Sequence, residues 1–249
     1  MPADAQNLVN LCATRGYAKL SHRSLLECIA QGAGGVATPK PPAASFSFAP
    51  ASGVVVWGDK NGQHTGNLAV FNATADKATT YGLDLGGNAL TSVTGLSSMP
   101  LTHLGISNNL LTTLDVTGCT LLSDLDCGNN HITSITGLST CTALTQLSCN
   151  NNSITSITGL STCTSLTYLN CNSNSITNIS VAALTLLAAC YFKSNNLSAS
   201  VVSSVLCQLD ANGLMNGDMD ISQNSVPTAG GLVCSVNLDP GKEWSVVHD

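Results

Sequence analysis

Charge is scarce in this sequence. Only 9% of its 249 residues are Asp, Glu, Lys or Arg, against roughly a quarter in an ordinary soluble domain. Lys and Arg number 8 against 14 Asp and Glu, a formal net charge of −6. Binding a phosphate backbone needs clustered basic side chains, so a nucleic-acid partner is not expected. Aromatic residues are also scarce, at 4%. The most apolar stretch, residues 179–192, falls short of the ~20 apolar residues that span a bilayer, so no membrane span is expected. The opening MPADAQNLVNLCATR lacks a basic start followed by an apolar run, so no classical signal peptide is expected. Export would then follow another route, such as virion assembly and lysis.

Recognisable reaction chemistry is missing too. There is no GxxxxGK[ST] phosphate loop, no HExxH and no GxSxG elbow. The histidines, His22, His64, His103, His131 and His248, fall in no catalytic spacing. The Asp and Asn runs do not follow the calcium-binding GGxGxDxUx nonapeptide. The chain therefore reads as non-enzymatic, with no catalytic residue, cofactor or metal site.

What is abundant is repetition. LDCGNNHITSITGLSTCTA is followed by LSCNNNSITSITGLSTCTS and by LNCNSNSITNIS. Asn88, Asn109, Asn130, Asn152, Asn174 and Asn195 recur every 21 or 22 residues, and Asn224 follows after 29. The unit LxxLxCxxNxIxxIxxLxxC resembles the bacterial leucine-rich repeat of internalin-like surface proteins, over about residues 83–227. The resemblance implies an α/β solenoid with a parallel concave β-sheet.

Elementary geometry agrees. Strand side chains alternate, so Leu147 and Cys149 face inward, as do Leu169 and Cys171. Gln146, Ser148 and Asn150 face outward. Each Asn turns the chain and can satisfy buried backbone groups between rungs. Ile154, Ile157 and Leu160 fill the core from the convex side. One rung cannot bury its own apolar face, so stability must come from stacking. Within the longer last interval, Val201, Val202, Val205, Leu206 and Leu209 have helical spacing, and a helix over 198–211 should end near Asn212-Gly213.

Eleven cysteines are present. Cys127, Cys149 and Cys171 occupy one Leu site of the repeat, and Cys119, Cys141 and Cys163 another. They read as core thiols packing as small hydrophobes. In-register stacking points their Cβ atoms the same way, which suits disulfide geometry poorly. No CxxC marks a zinc site.

The ends differ from the repeats. Residues 1–36 read as two short helices, either an anchor or assembly segment or a helix pair folded back on the solenoid, and residues 37–44 as a Pro/Gly-rich linker. Residues 45–82 read as a β cap with strands in FSFAP, GVVVWGD, LAVFNAT and ATTYGLDL. The GVVVWGD stretch is similar to the WGD segment of polycystic-kidney-disease-type β domains, and Asp59 in it reads as a turn residue. Residues 228–249 read as the closing cap, with Trp244, Val246 and Val247 as its apolar contacts.

The expected surface for recognition is the concave sheet. Its outward residues fall in columns. His103, Asp124, Gln146, Tyr168 and Asp218 form the first. Asp84, Asp126, Ser148, Asn170, Tyr191 and Asp220 form the second, and Ser107, Asn150, Asn172, Lys193 and Ser222 the third. The candidate binding residues are His103, Asp124, Asp126, Gln146, Tyr168, Asn170, Tyr191 and Lys193. Exposed tyrosines beside amides suit a protein partner or a glycan. The primary functional expectation is a structural or interaction protein of a virion or bacterial cell surface. Residues 1–36 would hold it to virion proteins or to copies of itself, and the solenoid would be displayed. The alternative is an adhesin-like or effector module that binds a host protein or glycan through the concave face.

Overall fold

The computed structural model describes residues 45–50, 55–59, 62–66, 71–72, 81–238 and 244–248. The helical segment expected at residues 1–36 and the linker at 37–44 lie outside them.

The periodic run coils, each rung adding one short strand to a parallel sheet. The strands are β5 (Tyr81–Asp84), β7 (Leu101–Gly105), β9 (Asp124–Asp126), β11 (Gln146–Ser148), β12 (Tyr168–Asn170), β13 (Ala189–Tyr191), β14 (Asp218–Asp220) and β15 (Ser245–Val247). They pair in that order, with Leu104, Leu125, Leu147, Leu169, Cys190, Met219 and Val246 in register. Beyond β5 the sheet turns antiparallel. β2 (Val55–Asp59) pairs with β5, and β3 (Gly62–Gly66) with β2. Asp59 stands opposite Gly62, at the end of that hairpin ladder.

The opposite side of the coil carries a second, shorter set of strands. β8 (Thr113–Asp115) and β10 (Ser134–Thr136) are parallel, and a single bridge, Ser156 to Asn178, continues that line. β6 (Leu90–Thr94) is covered by β1 (Ser45–Pro50), which runs antiparallel and also pairs with β4 (Phe71–Asn72).

Between the two sides lies one continuous apolar core. Leu125, Leu147 and Leu169, with Cys127, Cys149 and Cys171, are fully buried, as are Ile132, Ile154 and Ile176 from the far side. The asparagine ladder runs through it. Asn130 Nδ2 donates to the carbonyls of Cys127 and Gly128 in its own rung, and of Ile106 in the previous one. Its Oδ1 accepts from Leu111 N at 3.0 Å. The same link joins Leu90 to Asn109, Ile132 to Asn152, Ile154 to Asn174, Ile176 to Asn195 and Leu197 to Asn224, at 2.9–3.1 Å. Each side chain thus satisfies backbone groups that water cannot reach.

Two further local devices set the rung. The residue before each ladder Asn is left-handed: Gly87 at φ 70°, then Asn108, Asn129, Asn151, Ser173, Ser194 and Gln223 with φ of 52–58°. Asn tolerates this region better than most side chains. On the far side Gly137 (φ 84°) opens a 3₁₀ turn at Leu138–Thr140, and a Cβ there would lie 2.2 Å from Thr117 N.

The expected helix is α1 (Ala199–Asn212). Ser198 caps it by accepting from Val201 N, and Gly213 ends it in the left-handed region. Val202, Val205, Leu206 and Leu209 form its buried stripe. A second helix, α2 (Ala229–Leu238), was not expected: its AGGLV start holds two glycines, which disfavour helix. Trp244 is buried, and its indole donates to Leu214 O at 2.9 Å. Val246 packs against the core, whereas Val247 is 48% exposed, contrary to its expected role as an apolar contact.

The reading of the cysteines as core thiols needs one correction. Cys119, Cys127, Cys141, Cys149, Cys163, Cys171 and Cys190 are free and buried. Cys207 and Cys234, however, form a disulfide between α1 and α2, with Cα atoms 5.0 Å apart. The stacking argument against disulfides holds for the in-register rungs. It does not apply to two helices that meet face to face.

Candidate functional site

The outward columns exist because the ladder asparagines hold every rung in one register, so alternate strand residues line up across the sheet. His103 faces Asp124, Asp124 faces Gln146 and Gln146 faces Tyr168; then come Ala189 and Asp218. The second column runs Asp84, Gly105, Asp126, Ser148, Asn170, Tyr191 and Asp220.

These residues fall into two groups. In the first, His103 Nδ1 lies 3.0 Å from Asp124 Oδ2, an ion pair when the imidazole is protonated. The second lies on β12–β14. The Tyr168 and Tyr191 rings are 5.8 Å apart between centroids, tilted by 57°. Such geometry favours an edge-to-face contact between aromatic quadrupoles. Ala189, between Tyr168 and Asp218 in its column, has only a methyl group. Tyr191 reaches Asp218, and its Oη donates to Asp218 Oδ2 at 2.5 Å. That bond, helped by burial, pushes the Tyr191 phenol up to about 12. Asn170 Nδ2 is 3.5 Å from Tyr168 Oη. Lys193 Nζ stands 3.7 Å from Asp220 Oδ2, and its backbone N–H is held by Asn172 Oδ1 at 2.7 Å.

Some candidates have a local role. Asp126 Oδ1 accepts from Gly128 N, as Asn170 Oδ1 does from Asn172 N and Asp220 Oδ1 from Ser222 N. These second-column oxygens fasten the turns after β9, β12 and β14. Gln146 is exposed, midway between the two groups. Asp218 and Asp220 stood in the columns but not among the candidate residues, yet they hold Tyr191 and Lys193. Only the contacts across the 29-residue interval show this. The outward strand positions from His103 to Asp220 carry no large aliphatic side chain, and exposed ion pairs of this kind stabilise a fold by only about 0–1 kcal/mol.

Comparison with known proteins matches residues 142–184 to the leucine-rich-repeat family model, two copies. Among solved structures, the functional domain of InlJ from Listeria monocytogenes, which includes a cysteine ladder, is 31% identical. The match covers 59% of this chain and 31% of that one, with a TM-score of 0.49. An internalin, InlF, of the same organism is 24% identical over 64% of this chain and 44% of its own, with a TM-score of 0.52. The chain folds as a leucine-rich-repeat solenoid. The same fold recurs in a TLR13–ssRNA13 complex at 18% identity, covering 67% of this chain and 25% of that one, with a TM-score of 0.51. This solenoid spans less than half the length of each of those chains. No curated protein matches the sequence.

Proposed function

We propose that this solenoid is a non-enzymatic interaction protein whose partner docks on the concave sheet at its Tyr168–Tyr191 end. The observation that carries the reading is the tyrosine pair itself. Two part-exposed aromatic rings lie side by side, in a chain with few aromatics, on a face otherwise lined by small or polar side chains. Tyrosine gives a rigid, amphipathic contact at low entropic cost. The surrounding Asn170, Asp218 and Lys193 supply hydrogen bonds around it. A glycan or a polar protein surface matches this face; an aliphatic helix does not.

A second reading has its own support. The repeats covering residues 125–170 are nearly identical in sequence, which suits a spacer better than a diversified binding face. In that reading residues 1–36 anchor the chain to a virion or a bacterial cell surface, and the solenoid is displayed from it. The similarity of GVVVWGD to polycystic-kidney-disease-type segments fits the same surface setting.

One experiment separates the two. The chain and a variant lacking residues 1–40 are screened on arrays of oligosaccharides and displayed surface proteins, and scored for incorporation into native particles. Retention of a ligand by both forms supports the concave-face reading. Loss of particle incorporation on deletion, with no ligand retained by either form, supports the anchored spacer.

A further inference from the structure

We propose that the Cys207–Cys234 disulfide is a thiol–disulfide exchange site that controls how firmly the C-terminal helix closes the solenoid. The contrast between the two helices is the starting point. α1 buries Val202, Val205, Leu206 and Leu209. The corresponding stripe of α2 is Gly231, Cys234, Ser235 and Leu238, where only Leu238 is a large buried side chain. Leu232 and Val233 point outward, at 43% and 62% exposure. The helix is short and starts with two glycines, so it has little intrinsic tendency to persist.

α2 is held by close approach to α1, by the bridge, and on its other side by Ser235 Oγ, 3.0 Å from His248 Nε2, and Leu238 O, which accepts from Trp244 N at 3.0 Å. A Cβ on Gly231 would lie 2.4 Å from Ser203 Oγ, so the two helices touch nearly backbone to backbone. Ser203 Oγ lies 2.9 Å from Thr228 Oγ1 and accepts from Thr228 N at 2.8 Å, and Asn237 donates to Asp210 at 2.8 Å. These polar contacts are partly or fully exposed, where each contributes little net stability. The bridge is the covalent restraint on the α1–α2 contact, added to these weaker ones.

Among the described cysteines, the bridge is also the accessible sulfur chemistry. Cys207 and Cys234 are half-buried, whereas the seven free described thiols are at most 2% exposed. A dithiol reductant, small or protein-borne, would act here first. Its thiolate attacks one sulfur, the Cys207–Cys234 bond breaks, and a mixed disulfide forms. The second reductant thiol displaces it, leaving two cysteine thiols and one oxidised dithiol, a transfer of two electrons and two protons. The strand after α2 has a separate anchor: Trp244 packs on Gly217 and donates to Leu214 O. Reduction should then loosen residues 229–238 while the repeats and Trp244 stay in place.

Hydrogen exchange with peptide-resolved alkylation tests this on the intact chain, with and without dithiothreitol. Reduction is expected to expose Cys207 and Cys234 to iodoacetamide, with the seven core thiols unlabelled, and to speed exchange over 229–238 by about tenfold or more. Residues 83–197 should be unaffected. The double variant C207S/C234S should exchange fast from the outset and ignore the reductant. Unchanged protection of 229–238 after reduction would overturn the proposal. So would free Cys207 and Cys234 in the untreated chain, or acceleration that spreads through the repeats.

Discussion

Asn130 shows how much one side chain carries in this molecule. It makes four hydrogen bonds to the backbones of two rungs, in a place that is 6% exposed. Asn130→Ala leaves those groups without partners or water. The expected loss is about 3 kcal/mol, since each stranded buried group costs roughly 1–3 kcal/mol. Asn130→Asp should be about as harmful, because a carboxylate cannot donate. Urea denaturation of the three proteins measures both. The preceding position obeys a different rule. Ser173 has φ 55°, where its counterparts are Asn151 and Asn129, so Ser173→Asn should leave stability unchanged or raise it by a few tenths of a kcal/mol. The ladder asparagines were legible in the sequence because they recur in phase. The left-handed residue beside them was not: Gly, Asn, Ser and Gln all fill it, so no single residue type marks the position.

At the scale of the element, the turn and the helix behave differently. Gly137 combines a left-handed φ with a backbone neighbour where a Cβ would be. Gly137→Ala is expected to cost about 3 kcal/mol or more, through strain and displacement of Thr117, read as a drop in the urea midpoint. Ser198→Ala removes the α1 cap and should cost about 1 kcal/mol by the same measurement. Helix α1 was readable because its apolar stripe and its Asn-Gly end are both local signals. Helix α2 and the Cys207–Cys234 bridge were not. Nothing in AGGLVCSVNL has a strong helical period, and a pairing of cysteines 27 residues apart depends on how two helices meet. The concave columns were readable for the opposite reason, since they need only alternation and a constant repeat. The bonds from Tyr191 to Asp218 and from Lys193 to Asp220 cross the irregular interval, so periodicity could not supply them.

For the whole molecule, the stacked thiols tie stability to pH. Burial pushes Cys119 up to about 12 and Cys141 up to about 11. It also raises Cys127, Cys163, Cys171 and Cys190. An unfolded thiol ionises near pH 8.5, so between there and the folded values the native chain holds protons that the unfolded chain has lost. Stability is then fully present below about pH 8.5 and falls as pH rises through the folded values. The thermal midpoint should decline steadily above about pH 9, and Cys119→Val with Cys141→Val should flatten that limb; an unchanged slope would show that the thiols are not responsible. Docking on the tyrosine end of the concave sheet is tested by a binding isotherm. With any ligand retained in the array screen, the chain is titrated beside Tyr168→Ala and Tyr191→Ala, each checked for an unchanged thermal midpoint. Each variant is expected to weaken binding by at least about tenfold, as loss of an aromatic anchor does. Equal affinity in all three proteins would contradict docking at that end.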